Sequence, residues 1–296
     1  MLPLANPSAP GLDRDTLADK IAARLNDEAP ALRAAFRAAR IGSFVLDDLL
    51  CANEALAIHD AFPASDRMVL RRSMKENKHV GVQVDAFDPL IEEAIYAFQA
   101  PPVVRAIASI TGLRALEPDA DLYAGGISAM GRGAFLRPHL DNSHDAKRAR
   151  YRVLNLLYYV TPGWRAADGG SLELWDEGPR GPARAIPSLF NRLVVMVTNR
   201  SSWHSVSEVT GDGRRACVSN YYFSAVSPEE QDYFHATSFR GRPEDPLTDI
   251  AMRADNALRT AVLRATGDRL FKNPHVYQRS EGDDGDGRDG QARRDQ

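Results

Sequence analysis

Three side chains in this sequence have the types and spacing of a metal site. His139 and Asp141 lie two positions apart, and the aromatic and aliphatic residues that lead into them, at 135–137, favour an extended strand. Side chains alternate between the faces of a strand, so one imidazole and one carboxylate would point the same way. A third ligand must come from elsewhere, and His204 is the best candidate because it lies in another β-like segment, 203–206. Two imidazoles and one carboxylate on one face of a metal leave three coordination positions open.

The other histidines are weaker candidates for metal ligands. A His-x-Asp pair occurs by chance in many proteins, so the prediction depends on the segments around it. His144 is a rival ligand, but its offset from His139 suits a helical turn or a loop better than a strand. The remaining histidines lack a partner at ligand spacing, so we expect surface or packing roles for His59, His79, His235 and His275.

Two more segments, together with the segments that carry the predicted ligands, form a set of four motifs in a fixed order along the chain. A glycine pair, Gly169 and Gly170, begins a short β-like segment between the two halves of the site, and an arginine pair begins residues 214–224 about ten positions after His204. An arginine at that place could bind the acid end of a dicarboxylate. Over residues 41–224, this set resembles the iron(II)- and 2-oxoglutarate-dependent dioxygenases of the prolyl 4-hydroxylase type.

The resemblance implies a cofactor, two cosubstrates and a reaction. It implies Fe(II), 2-oxoglutarate and O2, with His139, Asp141 and His204 as both catalytic residues and iron ligands. Neutral imidazoles and an ionised carboxylate suit ferrous iron. Halogenases of this superfamily replace the carboxylate with a small residue, so the presence of Asp141 indicates oxygen insertion. The implied reaction is hydroxylation, or another oxidation, of an unactivated C–H bond, with succinate and CO2 as co-products.

The resemblance also implies side chains that bind the far carboxylate of 2-oxoglutarate. This charge would lie deep in a barrel, where it is costly unless an arginine pairs with it through two hydrogen bonds. Arg214 lies at an interval from His204 that is familiar in prolyl hydroxylases, whereas Arg215 has Ser219 four residues later on its own face. Alternation allows only one arginine to face inward. We favour Arg215 and keep Arg214 as the alternative, and Tyr159 matches a family tyrosine that helps to bind the same carboxylate.

The pattern of short segments predicts the fold class, which is α+β. Residues 122–224 are typical of successive strands separated by Gly, Pro, Asn and Asp turns. The predicted strands are 122–129, 134–141, 151–160, 171–175, 183–186, 192–197, 203–206 and 215–224. About eight such strands favour a double-stranded β-helix, a jelly roll of cupin-like form, with flanking N- and C-terminal helices. The mouth of such a barrel is a natural place for a ligand pocket.

Four regions follow along the chain. We predict an N-terminal helical region with a leading strand at 1–120, the catalytic core at 121–226, a C-terminal helical extension at 227–279 and a disordered tail at 280–296. Helical spacing indicates two helices between residues 13 and 40, separated at Pro30, and two more at 89–99 and 101–111.

Two further segments allow more than one interpretation. The basic run at 71–79 is predicted as a solvated loop or helix face, and the alternative is a lid or a contact for an anionic substrate. A helix at 247–265 is expected to cover the barrel or to support a homodimer through one apolar side. That side consists of Ile250, Ala254, Leu258, Val262 and Leu263.

Composition limits the classes of function. The chain has 296 residues, 44% of them hydrophobic, and a formal net charge of −3, so no strong field for nucleic acid is expected. Its two cysteines are far apart, which predicts buried thiols rather than a disulfide. We also expect no signal peptide, no membrane partner and a cytoplasmic location that suits ferrous iron.

The substrate and some classes of activity stay open at this stage. A basic run and Arg132, Arg137 and Arg152 favour an anionic, small-molecule or amino-acid-like substrate, and a peptidyl residue is also compatible. Desaturation, ring closure or demethylation can follow the same first step as hydroxylation. One alternative is a cupin-like metal isomerase or a 2-oxoglutarate-independent dioxygenase with the same ligands. Another is a non-catalytic jelly-roll binding module.

Overall fold

The centre of the molecule is a curled antiparallel sheet. The computed structural model describes residues 11–123, 125–229 and 231–266, with no side-chain description for residues 259–266. Thirteen strands lie in these described residues, and their bounds in chain order are β1 Ser43–Leu46, β2 Val69–Arg72, β3 Glu76–Gly81, β4 Leu116–Pro118, β5 Gly126–Met130, β6 Phe135–Leu140, β7 Tyr151–Tyr159, β8 Leu172–Leu174, β9 Arg184–Ile186, β10 Arg192–Val197, β11 His204–Val206, β12 Arg215–Ser224 and β13 Ser238–Phe239.

The strand order is that of a double-stranded β-helix. The main path runs β1-β10-β7-β12-β5-β3-β6-β11-β8-β9, and every pair is antiparallel. Neighbouring strands are often distant in sequence, as in a jelly roll. Strands from both halves of this path contribute side chains to one central cavity, so the sheet curls around it. The predicted fold class is therefore confirmed.

Six α-helices lie in the described residues. Their bounds are α1 Arg14–Asp27, α2 Ala29–Ala38, α3 Ala52–Asp60, α4 Pro89–Ala97, α5 Pro101–Thr111 and α6 Pro246–Thr266. Local sequence explains several of these limits. Asp13 caps α1 by accepting a hydrogen bond from the backbone N–H of Thr16, and α5 ends at Gly112 with φ of 74°.

The N-terminal helices pack on the outer face of the sheet. Leu17 and Ile21 of α1 and Ile107 of α5 lie in one hydrophobic core with Leu156 and Tyr158 of β7. Burying large apolar side chains contributes about 1.5–3 kcal/mol each. This layer covers one face of β7 and leaves its other face to the cavity.

Two parts of the structure differ from the sequence-based expectation. The basic run predicted as a solvated loop or helix face is a hairpin of β2 and β3. These strands were missed because β2 is largely exposed and β3, although partly buried, consists mostly of polar residues without an apolar alternation. In α6 the described part of the predicted apolar side faces solvent, with Ile250 63% and Leu258 66% exposed, whereas Met252 is buried. The side chains of Val262 and Leu263 lie outside the described part of the chain.

Two other expectations concern the C-terminal tail and membrane-spanning helices. The tail predicted to be disordered, 280–296, lies outside the described residues. Among the residues that the structure describes, no helix combines the length and the apolar character needed to cross a bilayer.

Candidate metal centre

The predicted ligands come together on two neighbouring strands. His139 of β6 lies directly opposite His204 of β11 in the antiparallel register, and Asp141 follows the end of β6. One ligand atom from each of these residues lies within 4.8 Å of the other two. The Nε2 atoms of His139 and His204 are 3.7 and 3.6 Å from the carboxylate oxygens of Asp141. This set is the two-histidine, one-carboxylate group that binds Fe(II) in non-haem oxygenases.

Each imidazole is oriented by the backbone of its own strand. Nδ1 of His139 lies 2.9 Å from the carbonyl oxygen of Arg137, and Nδ1 of His204 lies 2.9 Å from that of Ser202. A carbonyl only accepts hydrogen bonds, so each Nδ1 carries the proton and each Nε2 keeps its lone pair. Hydrogen bonds of this kind commonly fix the tautomer of metal-binding histidines.

The electrostatics of the group suit a divalent cation. Burial and the neighbouring His204 lower the pKa of His139 to about 3, so this imidazole is neutral at pH 7. Burial opposes ionisation of Asp141, but the charge of Arg152 and the two histidines lower the pKa of its carboxyl. Its buried Oδ2 has no hydrogen-bond partner within the described chain. A neutral His139 imidazole and an ionised carboxylate with an unsatisfied oxygen fit Fe(II).

Arg152 lies beside the carboxylate and was named in the sequence only as one of several basic residues. Its side chain is 3% exposed, and Nη1 is 3.6 Å from Oδ1 of Asp141. The guanidinium lies 4.4 Å from the ring centroid of Tyr221, and its buried Nε has no hydrogen-bond partner among the described residues. The sequence signal that could have found it is a charged residue at the start of an otherwise apolar strand.

A β-bulge explains why strict alternation along β7 could not show that Arg152 faces the cavity. The pairing of β7 with β12 shifts register between Tyr222 and Phe223. Val153 and Leu154 therefore both belong to the outer core, while Arg152 lines the cavity. A bulge reverses the faces of the residues on one side of it.

The two adjacent arginines lie on opposite faces of β12. Arg215 lines the cavity and is buried, and its Nε donates a hydrogen bond to Oγ of Ser188 at 3.0 Å. Arg214 points away, and its Nη1 donates to the carbonyl oxygen of Pro63 at 2.5 Å. Arg215 is therefore the arginine that shares the cavity with the candidate metal ligands.

One glycine of the pair, Gly170, packs against the side chain of Arg215. Gly170 has a φ of 66°, and a Cβ at this position would lie 2.9 Å from Cδ of Arg215. The carbonyl oxygen of Gly170 accepts a hydrogen bond from Oγ of Ser188, which in turn accepts one from Arg215. The glycine thus allows the close approach of the backbone to the arginine.

Tyr159 lies next to Arg215 at the inner end of β7. The Arg215 guanidinium is 4.8 Å from the ring centroid of Tyr159. The hydroxyl is near both Arg215 and Ser188, but it is buried without a hydrogen bond of ordinary geometry in the described part of the chain. Burial raises the pKa of Tyr159, so the phenol stays neutral and can donate.

The cavity connects these groups. Its volume is about 1140 Å³, and it is lined by His139, Asp141, His204, Arg152 and Arg215 together with apolar side chains of the surrounding strands. This volume exceeds the range of about 300–1,000 Å³ that is typical of small-ligand pockets. The space is therefore sufficient for a dicarboxylate and a second molecule.

The other histidines lie apart from the candidate ligand group. His144, the rival ligand, is buried with Nδ1 2.8 Å from Oγ of Ser143, and its ring packs against Tyr151. His59 pairs with its neighbour Asp60, and His79 lies on β3. His235 stacks on Tyr233, and His275 lies outside the described residues.

Comparison with known proteins adds a family match. Residues 125–223 match the model of the family described as "2OG-Fe(II) oxygenase superfamily". A segment of 84 residues is 38% identical to prolyl 3-hydroxylase OGFOD1 of Xenopus laevis, covering 27% of this chain. The match spans only 16% of the length of that relative.

Solved structures similar to this chain include a prolyl-4-hydroxylase and a protein solved with 2-oxoglutarate. A Pseudomonas putida prolyl-4-hydroxylase is 19% identical with a TM-score of 0.47, covering 69% of this chain and 98% of the other. HygX from Streptomyces hygroscopicus, solved with nickel, 2-oxoglutarate and hygromycin B, is 10% identical with a TM-score of 0.44. That match covers 62% of this chain and 83% of the other.

Proposed function

We propose that this chain, whose residues 125–223 match the model of the 2OG-Fe(II) oxygenase superfamily, is a hydroxylase that couples oxidation of a C–H bond to conversion of 2-oxoglutarate into succinate and CO2. One observation carries the proposal. The Nε2 atoms of His139 and His204 and the carboxylate of Asp141 converge on the wall of a cavity that also contains the buried Arg215.

We assign the side chains the following roles. His139, Asp141 and His204 hold Fe(II), and Arg215 pairs with the far carboxylate of 2-oxoglutarate. When bound, the iron supplies the redox chemistry that activates O2. The hydroxyl of Tyr159 donates a second hydrogen bond to the same carboxylate, and Arg214 has no part in it because it faces the other side of β12.

The charge of the cavity supports an anionic or amino-acid-like small substrate. Arg152 and Arg71 both line the cavity, and each has a buried Nε without a hydrogen-bond partner in the described residues. A carboxylate offers acceptors for such groups. Arg132 and Arg137, which the sequence also suggested, instead pair with Asp212 and Asp245. The substrate proposal therefore depends on Arg152 and Arg71.

A second candidate substrate is a proline residue in a polypeptide. The observation that favours it is the local 38% identity to a protein named prolyl 3-hydroxylase. The two candidates differ in what must enter the cavity, because a peptide needs an open path at the mouth for the chain on both sides of the proline. A free proline and a proline-containing peptide of the same concentration would separate them.

Succinate release is the direct test of the activity. The purified chain is incubated with Fe(II), ascorbate, O2, 2-oxoglutarate and a panel of amino acids, small carboxylic acids and proline peptides. We expect substrate-stimulated succinate formation and a product with one added oxygen by mass spectrometry. A product that forms equally well without 2-oxoglutarate would instead favour an isomerase or a 2-oxoglutarate-independent dioxygenase.

Metal binding tests the binding-module alternative. We expect the wild-type chain to bind Fe(II) or Co(II) with micromolar or tighter affinity, and His139→Ala and His204→Ala to lose it. Equal, weak binding by all three proteins would favour a non-catalytic jelly roll.

Three other expectations remain predictions. Desaturation, ring closure or demethylation would show in the product mass of the same screen. A homodimer would be sought on the exposed side of α6, where Leu247, Ile250 and Leu258 face solvent. A reducing cytoplasmic location would keep iron in its ferrous form.

A further inference from the structure

The C-terminal segment contacts the metal centre although it lies beyond the residues that match the family. β13 pairs with the end of β6 that carries the ligand, with Phe239 opposite His139 and Ser238 opposite Leu140. β3 pairs only with Phe135 and Leu136 at the other end of β6. β3 and β13 therefore share one edge of β6, and β13 covers the part of that edge beside His139.

The ring of Phe239 stacks on the imidazole of His139. Their centroids are 5.2 Å apart and their planes differ by 18°. On another side, the centroid of the His204 ring lies 4.1 Å from that of His139. The Nδ1 hydrogen bond to the carbonyl of Arg137 holds one edge of the imidazole, so the ring plane can still tilt only by coupled rotation about the Cα–Cβ and Cβ–Cγ bonds. Aromatic packing restricts this remaining rotation.

Helix α6 holds Phe239 in place. The side chain of Asn256 bonds both backbone groups of Phe239, with Nδ2 donating to the carbonyl oxygen at 2.6 Å and Oδ1 accepting from the N–H at 3.2 Å. The next residue, Arg240, pairs with Asp249 of the same helix through two contacts of 2.6 and 2.9 Å. The amide of Asn256 thus takes the place of a neighbouring strand.

We propose that Phe239 is a positioning residue for the metal site, a role that depends on His139 being a ligand as proposed above. Its ring fixes the plane of the imidazole so that Nε2 points to the same place as the ligand atoms of Asp141 and His204. Asn256 acts through Phe239 by fixing the backbone that carries it. A segment outside the family match is therefore part of the metal centre.

Co(II) binding to the full chain tests this role without any substrate. Phe239→Leu removes the flat ring and should weaken Co(II) binding about tenfold, as loss of an outer-shell contact commonly does. Phe239→Tyr keeps the ring and should stay within about twofold of the wild type. The visible absorption spectrum of bound Co(II) should change in Phe239→Leu but not in Phe239→Tyr, because it reports ligand geometry.

Two further variants separate positioning from simple packing. Phe135→Leu makes the same change on β6 at a ring that contacts neither histidine in the described structure, and it should leave the affinity and spectrum for Co(II) unchanged. Asn256→Ala should weaken Co(II) binding in the same direction as Phe239→Leu, and it decides the matter if Phe239→Leu fails to fold.

The outcomes distinguish this inference from the proposed function. If the wild type binds Co(II) and both Phe239→Leu and Asn256→Ala bind it equally well with an unchanged spectrum, the positioning role is wrong and the metal site stands. If the wild type binds no Co(II), the metal site and the positioning role are both wrong. A lower thermal midpoint without a change in affinity would also reject positioning in favour of packing.

Discussion

Two neighbouring tyrosines on β7 show how differently the two faces of this strand are built. Tyr158 faces the helical layer, and its hydroxyl donates a hydrogen bond to Oδ1 of Asn191 at 2.7 Å. The same asparagine bonds both backbone groups of Leu50. Tyr159 points to the opposite face, against Arg215 of the cavity wall, and is equally buried, but its hydroxyl has no such bond in the described residues.

The same contrast holds beyond this pair. On the cavity side, Oδ2 of Asp141, Nε of Arg152 and Oδ1 of Asn155 are also buried without partners among the described residues. Buried polar groups in native proteins are usually satisfied, so a cluster of exceptions needs a reason. Binding of a metal, a dicarboxylate and a substrate would supply the missing partners. Tyr158 is satisfied by the chain itself on the helical face, whereas the unsatisfied groups of the cavity face would be completed by ligands.

The largest expected effect is loss of the metal ligands. His139→Ala and His204→Ala should each weaken Co(II) or Fe(II) binding by at least about 100-fold, since even outer-shell changes cost about 10–100-fold. Titration followed by absorbance or calorimetry measures the affinity. His79→Ala on β3 is the control and should bind as the wild type does. Undiminished binding in either ligand variant would contradict the site.

The second effect concerns the two arginines. Arg215→Leu should raise the apparent dissociation constant for 2-oxoglutarate by at least about 150-fold, because removing one partner of a buried charge pair costs about 3–5 kcal/mol. Arg214→Leu should change it by no more than about twofold, since its side chain points away from the cavity. Binding of 2-oxoglutarate to the Co(II)-loaded protein measures both. The reverse order would assign Arg214 instead.

The third effect sharpens the contrast between the tyrosines. Tyr158→Phe should lower the free energy of unfolding by about 1 kcal/mol by removing a satisfied hydrogen bond, without changing 2-oxoglutarate affinity. Tyr159→Phe should leave the stability of the metal-free protein unchanged, because its hydroxyl has no bond to lose. It should weaken 2-oxoglutarate binding about threefold to tenfold, corresponding to about 1 kcal/mol. Urea unfolding and ligand titration give the two readouts.

The smallest expected effect concerns Asp145 at the rim of the cavity, whose carboxylate already has hydrogen-bond partners in the chain. Burial opposes its ionisation, but hydrogen bonds from Arg150 and the backbone N–H of Ala149 lower the pKa of its carboxyl. Because the pKa of Asp145 is lower in the folded protein, its carboxylate stabilises the fold above the unfolded pKa of about 3.9. This stabilisation is lost as the pH falls through the folded pKa.

Asp145→Asn in the metal-free protein tests this direction of the pH dependence of stability. It should destabilise the chain by about 1 kcal/mol at pH 7 and by progressively less below about pH 4. Urea unfolding at several pH values measures the difference, and a difference that grows with acidity would contradict it.

Much of the sheet and of the candidate ligand group could be predicted from the sequence. Apolar and aromatic segments bounded by turn residues located β6, β7, β11 and β12, because most of their residues are buried. The relative placement of His139 and His204 required a known family order, since nothing local pairs β6 with β11. Long-range pairing of this kind has no local signal.

Other features could not be predicted, for identifiable physical reasons. The place of Arg152 beside Asp141 depends on a bulge in β7, which alternation does not show. β13 has two residues, and its partner Asn256 is a helical side chain, so neither gives a strand pattern. In the hairpin of β2 and β3, β2 is largely exposed and β3 is partly buried but mostly polar, so neither has the apolar face that marks a strand.

The direct opposition of His139 and His204 has a consequence for assembly of the chain. The two strands that carry them are adjacent in the sheet but are separated in sequence by β7, β8, β9 and β10. An ion held by both imidazoles would tie these distant segments and restrict the unfolded ensemble, so the midpoint of thermal denaturation should rise with metal concentration. A slip of one residue between β6 and β11 would turn one imidazole to the outside, so tight metal uptake also reports that the two strands have found their native alignment.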